Sequence, residues 1–403
     1  MAPEGSFVGG ATYSFQVAVL VMAAGWLLVL TLPRISGTMF WVVALLLRLV
    51  LLPMQPGMDM HRYIWEGRIQ CHGFNPYRYA PNAEALYHLR DENWSHLEFK
   101  ETTAIYPPLT EFGFRSLASL WQTALFFKFG FVAADLGVAW LLSRRFGFAR
   151  ALLYAWNPLV LYSFAGGGHF DSWLLLALTG AWLAWENRRF TTASLLLAAG
   201  TAIKWIALPL LVWSIFRLAA IRGKRSAIFT SISTCLLFLA AWLVVTRGDV
   251  FASLYPKEFV LYARSFGLLP TVLSILAPEL VWQNKPYLFG IGAAALTLMR
   301  SRSITLLSER WLALLLVLSP MVHAWYFTWL LPFAVATRNL GTIAVSISAF
   351  AYFGISALPG GPQTGWPLLF TQTGLLWLPF LCGFAWTEYG RTRRRGKSEA
   401  NQE

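Results

Sequence analysis

What this chain has least of is charge. Only 13% of its 403 residues are Asp, Glu, Lys or Arg, about half of the roughly 25% usual in soluble domains, which excludes an ordinary water-soluble fold. Its three cysteines, Cys71, Cys235 and Cys382, include no CxxC pair, so no disulfide framework organises it. GxGxxG, Walker A, HExxH and GxSxG patterns are all missing, which leaves ATP-driven, zinc-protease and serine-hydrolase chemistry without support. Four of the six histidines (His61, His72, His88, His96) crowd one loop without metal-ligand spacing. The sequence requires no cofactor and names no metal ligand, and it leaves divalent-metal dependence open. The first apolar run lacks the basic lead of a cleaved signal peptide, and no internal repeat is evident.

What is present instead is apolar length: 57% of the residues are hydrophobic and 20 are tryptophan. A spanning helix needs about 20 mainly apolar residues. Such runs recur at 12–32, 38–54, 122–142, 150–165, 172–186, 191–216, 226–246, 283–299, 304–322, 325–337, 340–358 and 366–388. The pattern predicts an all-α polytopic membrane protein of about 11–13 segments, with residues 1–390 as a single transmembrane domain and 391–403 as a basic tail.

The net charge of +13 is not a nucleic-acid footprint, because the basic residues cluster in short links. They are Arg34; Arg144, Arg145 and Arg150; Arg188 and Arg189; Arg217, Arg222, Lys224 and Arg225; Arg300, Arg302 and Arg310; Arg338; and the tail from Arg391 to Lys397. The positive-inside rule makes these links and the C-terminus cytoplasmic. Residues 55–121, 166–171, 247–282 and 359–365 then lie outside, and the first of these loops is rich in acids. The expected location is the plasma or inner membrane, with membrane lipids as partners and no nucleic acid. The run 191–216 is basic at both ends, which predicts a helical hairpin broken near Gly200–Trp205; irregular backbone at that depth survives only where protein or a cavity surrounds it.

Polar chemistry is concentrated after the second run. Asp59 follows Pro53 within six residues, close to the outer membrane surface, and begins a short helix that ends at Gly73. Asp59, Arg62, Tyr63 and Glu66 share one face of that helix, whose apolar residues suit a position along the membrane interface. Asp59 also stands where a helix N-cap is expected, and the cap and a catalytic role coexist. Arg62 is equally placed to pair with Glu66. In "IYPPLTEF" the prolines set the helix start, and Tyr106 and Glu111 are substrate-contact candidates. "GGGHFDSW" carries His169 and Asp171 beside glycines that allow close backbone approach, with Asp171 also a possible cap. Lys204 lies in an apolar run, where an ammonium is a functional candidate by default unless it snorkels or pairs with an acid such as Asp135. His323 stands at an outer helix end among Trp325, Tyr326 and Trp329, and Arg264 closes the second external loop. A carboxylate near the membrane surface, several cations and stacking aromatics suit transfer from a phosphate leaving group to a hydroxyl, with the acid as general base.

The block "DMHRYIWEGRIQCHGFNPYRYAP", followed by "YPPL", resembles multi-pass GT-C glycosyltransferases that use polyprenyl-phosphate sugars, especially bacterial mannosyltransferases. "NPL…GHFD", "IKW…LP" and "HAWYFTWLLP" are similar to further blocks of that family. Glu66 departs from it, standing where aspartate is more usual. The resemblance implies a GT-C-like bundle with a large first extracytoplasmic loop carrying interfacial helices. It also implies inverting transfer on the outer face from a polyprenyl-phosphate sugar, mannose favoured, to a glycolipid, glycan or protein hydroxyl. It maps the catalytic base onto Asp59 and the donor-phosphate role onto His323, with Lys204 and Arg264 less secure. The alternatives are a multi-pass transporter or lipid flippase, and a different lipid-linked transferase.

Overall fold

A computed structural model describes residues 13–31, 34–249, 257–277, 283–354 and 370–400; the expected outer link 359–365 lies outside them. Among the described residues the fold is all helical, and its β-type contacts are isolated bridges from Ser265 and Phe266 to Met321. Helices Ala124–Phe146, Trp205–Arg222 and Lys224–Thr246 are long and apolar enough to cross a membrane, and four shorter apolar helices accompany them. At 1.5 Å per residue, the 23 residues of Ala124–Phe146 run about 34 Å, against a hydrocarbon core of about 30 Å.

Local chemistry sets the helix limits. Ser36, Thr123 and Ser303 each accept a backbone N–H three residues on, opening Gly37–Leu51, Ala124–Phe146 and Ile304–Leu318, which satisfies an otherwise unpaired donor. Asn157 and Asn339 do the same for Pro158–Leu161 and Leu340–Ser348. Gly341 and Gly383 bring Leu340–Ser348 against Phe370–Ala400 backbone to backbone: a Cβ on Gly383 would lie 2.6 Å from Gly341 N, the small-residue contact typical of membrane helices.

Charges inside the bundle are paired. Arg48 Nε donates to Asp135 at 2.6 Å with both side chains at most 1% exposed, and Arg48 Nη1 also donates to Ala44 O and Ala155 O. Asp135 is therefore not the partner of Lys204. The neighbouring helix presents it with a guanidinium fork, which matches a carboxylate better than an ammonium does. Lys128 caps the end of Gly37–Leu51 through Leu52 O and Met54 O.

The run 191–216 is a hairpin. Helix Phe190–Ile203 stops at Lys204, whose backbone is extended (φ −154°, ψ 126°), and a short turn Trp205–Ala207 leads into Leu208–Arg222. The break frees carbonyls that need donors: Thr110 Oγ1 donates to Ile203 O (2.7 Å) and Trp311 Nε1 to Ile206 O (2.8 Å). Ser214 donates to Ser194 across the pair, and Arg222 reaches Arg188 O. The two basic ends thus meet on one side, as the charge pattern demands.

Candidate active site

The first-loop helix runs Asp59–Cys71, and its N-cap is Met58, which makes no side-chain cap. Asp59 is the first residue inside the helix rather than its cap, so its carboxylate is free to face the cleft. Oδ2 lies 3.4 Å from Tyr63 OH and 3.7 Å from His169 Nδ1. The carboxylate still reaches solvent through the cleft, with 42% of the side chain exposed, yet protein crowds it on the other sides. Loss of bulk water raises its pKa to about 6, with Lys204 opposing the rise and Asp171 adding to it.

The turn before Asp171 is drawn against this helix: Gly57 N donates to Gly167 O at 2.9 Å. The glycines allow close approach, but to protein. A Cβ on Gly168, where φ is +75°, would meet Met60, and one on Gly167 would come 3.1 Å from the His169 ring. Asp171 is the first residue of helix Asp171–Glu186, whose cap position is Phe170. Its Oδ1 accepts from Lys204 Nζ (2.6 Å) and Trp329 Nε1 (2.7 Å), while Oδ2 is buried without a partner. The extended backbone at the hairpin break delivers Lys204 here. Its ammonium lies over Tyr326 (4.5 Å), Trp329 (4.8 Å) and Phe170 (5.2 Å), cation–π contacts that partly replace water.

The opposite wall is aromatic. Trp325 stacks on His169 (3.7 Å) and on His323 (4.4 Å). His323 Nδ1 lies 2.8 Å from Tyr352 OH and 3.3 Å from Ser265 Oγ. Burial and then Lys204 hold His323 down at about 3, and burial likewise pushes His169 well below the usual imidazole range. Both rings are neutral at physiological pH. If Tyr352 donates to Nδ1, the ring proton sits on Nε2 and makes His323 a hydrogen-bond donor there. Tyr63 and Tyr106 meet edge to face at 5.6 Å, and burial raises both phenols well above 10, so each stays protonated.

Asp59, Tyr63, Tyr106, His169, Asp171, Lys204 and His323 therefore converge. Arg62 and Glu66 turn away into the loop: Arg62 binds Glu66 (3.0 Å) and the carbonyls of Phe99 and Thr102. Glu111 is buried beside Glu66, with Gln70 donating to its Oε2 at 3.0 Å. Burial and then the charge of Glu66 raise Glu111 well above the usual carboxylate range, and burial raises Glu66. Arg264 lies one residue from Ser265, and its Nε donates to Asn284. Sequence reasoning missed Tyr352 and Ser265, since a hydroxyl in an apolar run carries no local signal of a distant histidine. Trp325, Tyr326 and Trp329, read from the sequence as stacking aromatics, pack against His169, His323 and Lys204 here. Among the described residues no three His, Cys, Asp or Glu side chains converge on a metal-sized site.

Residues 3–222, more than half of the chain, match the family described as alpha-(1->6)-mannopyranosyltransferase, N-terminal domain. The match includes Asp59, His169, Asp171 and Lys204, whereas His323 and Tyr352 lie beyond it. No curated protein matches the chain.

Proposed function

Because this chain belongs to the alpha-(1->6)-mannopyranosyltransferase family, we propose that its cleft moves mannose from a polyprenyl-phosphate donor to an acceptor hydroxyl, with Asp59 as general base. Mannosyl transfer is the family's activity, and it sets aside the transporter and flippase alternative. The observation that carries the finer reading is a carboxylate tuned to about 6 that opens on a cleft whose cation, Lys204, is held in place by Asp171.

In this reading the acceptor O–H gives its proton to Asp59 as the oxygen attacks C1 of mannose, and the C1–O bond to the phosphate breaks. The polyprenyl phosphate leaves with that electron pair. An α-linked product from one displacement requires a donor of β configuration, so the transfer inverts. The Nε2–H of His323 and the Lys204 ammonium stabilise charge growing on the phosphate, the kind of fixed donor that contributes most in a water-poor site. Trp325, stacked between His169 and His323, holds both imidazoles in place, and Tyr326 does the same for the ammonium of Lys204. A lipid donor also fits the place of Asp59, since its phosphate is presented at headgroup depth; with the basic links inside, that is the extracytoplasmic face. Arg62, spent on Glu66 and on loop carbonyls, holds the loop rather than the phosphate.

The test is release of free polyprenyl phosphate from polyprenyl-phosphate mannose by purified protein in nanodiscs, with membrane lipid extract as acceptor. Wild type should release it. Asp59→Asn should not, although an amide fills the same space. Near wild-type release by the asparagine variant removes Asp59 from the base role, and silence of the wild type with this donor removes the donor.

A further inference from the structure

Away from the cleft, helices Lys285–Leu298, Ile304–Leu318 and Phe370–Ala400 enclose a cavity of about 390 Å³, inside the range of about 300–1,000 Å³ that holds small ligands. Its wall is apolar, with Leu298, Ala313, Leu314, Val317, Phe380 and Phe384 among its residues, and Arg310 and Glu388 stand at one end. Arg310 binds Glu388 at 2.6 Å. Arg391 binds Glu309 at 2.7 Å and also Glu388, while its Nη2 is buried without a partner.

Both acids at this end are thus already matched, and the link joining the two lining helices Lys285–Leu298 and Ile304–Leu318 adds further arginine at the same end. Arg300 follows Leu298 by two residues, and it and Arg302 are exposed. Glu186, which reaches the same end through Thr305, is also engaged by Arg145. The excess charge at the mouth is positive.

An apolar hollow gives water too few partners to be occupied by it, and left empty it forfeits the dispersion contacts of its lining. In a bilayer the material at hand is lipid chain, which a leucine-lined wall neither attracts nor repels by the hydrophobic effect. Selection must then come from the rim, where clustered arginines attract anionic headgroups. We propose that this groove is a binding site for an anionic phospholipid, with an acyl chain in the cavity and its phosphate on the arginine rim, in the leaflet facing the basic links. The site shares no residue with the cleft and does not rest on the donor assignment.

The experiment uses full-length protein reconstituted in vesicles of equal phosphatidylglycerol and phosphatidylcholine, extracted in mild detergent, with retained lipid measured by mass spectrometry. Phosphatidylglycerol should be retained about fivefold over phosphatidylcholine. Leu314→Trp, at a wall position 36% exposed that tolerates bulk, should lower retained phosphatidylglycerol about tenfold with unchanged gel-filtration behaviour. Arg300→Glu with Arg302→Glu should bring the ratio of the two lipids toward one. Equal retention of both lipids by the wild type overturns the proposal. So does undiminished phosphatidylglycerol in a folded Leu314→Trp protein, or an unchanged ratio in the charge-reversed one.

Discussion

Breaking the Lys204–Asp171 pair tests both the fold and the chemistry of the cleft. The two side chains are 16% and 1% exposed and meet at 2.6 Å, so removing one partner strands a charge, at a usual cost of about 3–5 kcal/mol. Asp171→Asn should cost less than that, roughly 2–3 kcal/mol, because the orphaned ammonium keeps some solvent and three aromatic faces worth about 0.5–2 kcal/mol each. Lys204→Met should cost the full range of about 3–5 kcal/mol, since it leaves a carboxylate with only Trp329 as donor. The double variant holds no stranded charge and should lie within about 2 kcal/mol of wild type, a coupling of about 3 kcal/mol or more. Denaturant unfolding in detergent micelles measures all four proteins. The same variants should shift Asp59 in opposite directions. Losing the positive neighbour raises its pKa, so the acid limb of activity moves to higher pH in Lys204→Met; losing the negative neighbour moves it to lower pH in Asp171→Asn. Additive costs, or limbs that move together, would refute the reasoning.

The remaining expectations concern single groups. With Asp59 raised to about 6 and required as the anion, kcat/KM should be level above pH 7 and fall about tenfold per unit below 6; initial rates from pH 4.5 to 8 decide, and a profile level to pH 5 excludes Asp59. Glu111 has a raised folded pKa, so its contribution to stability is complete below the unfolded carboxylate pKa and is lost as pH rises through the folded value. Glu111→Gln, which resembles the protonated acid, should melt at more nearly equal temperatures at pH 6 and pH 9 than wild type does. Thr110→Val leaves Ile203 O without its donor and should cost about 1–3 kcal/mol by thermal unfolding. His323→Ala should weaken donor binding and also lower kcat, a combined loss of about tenfold in kcat/KM or roughly 1.4 kcal/mol; an unchanged kcat/KM removes His323 from the phosphate.

The parts of the fold legible in the sequence were those encoded locally. Apolar runs with basic ends foretold the helices, and the conflict at Arg188 and Arg222 foretold a hairpin that closes through an Arg222 to Arg188 hydrogen bond. Spacing also paired Arg62 with Glu66 on one helical face. It could not show that the carbonyls of Phe99 and Thr102 occupy the rest of the guanidinium, because a backbone acceptor has no residue-type signature. The partner of Lys204 was misjudged for a related reason: Asp135 and Asp171 look alike as acids near apolar helices. The choice between them is made by Arg48, which lies in a different helix and captures Asp135 first.

The same long-range geometry explains how a cleft with two carboxylates can take an anionic donor. Asp59 and Asp171 are each the first residue of a helix, so the positive helix ends lie around them. Lys204 neutralises Asp171, which leaves Asp59 as the other carboxylate of the cleft. In the proposed reading a donor phosphate meets two helix N-termini, an ammonium and a neutral imidazole against one net carboxylate. Placement at helix starts, in the same reading, lets a general base and a phosphate site share one cleft, with Asp59 one position inside its helix rather than capping it.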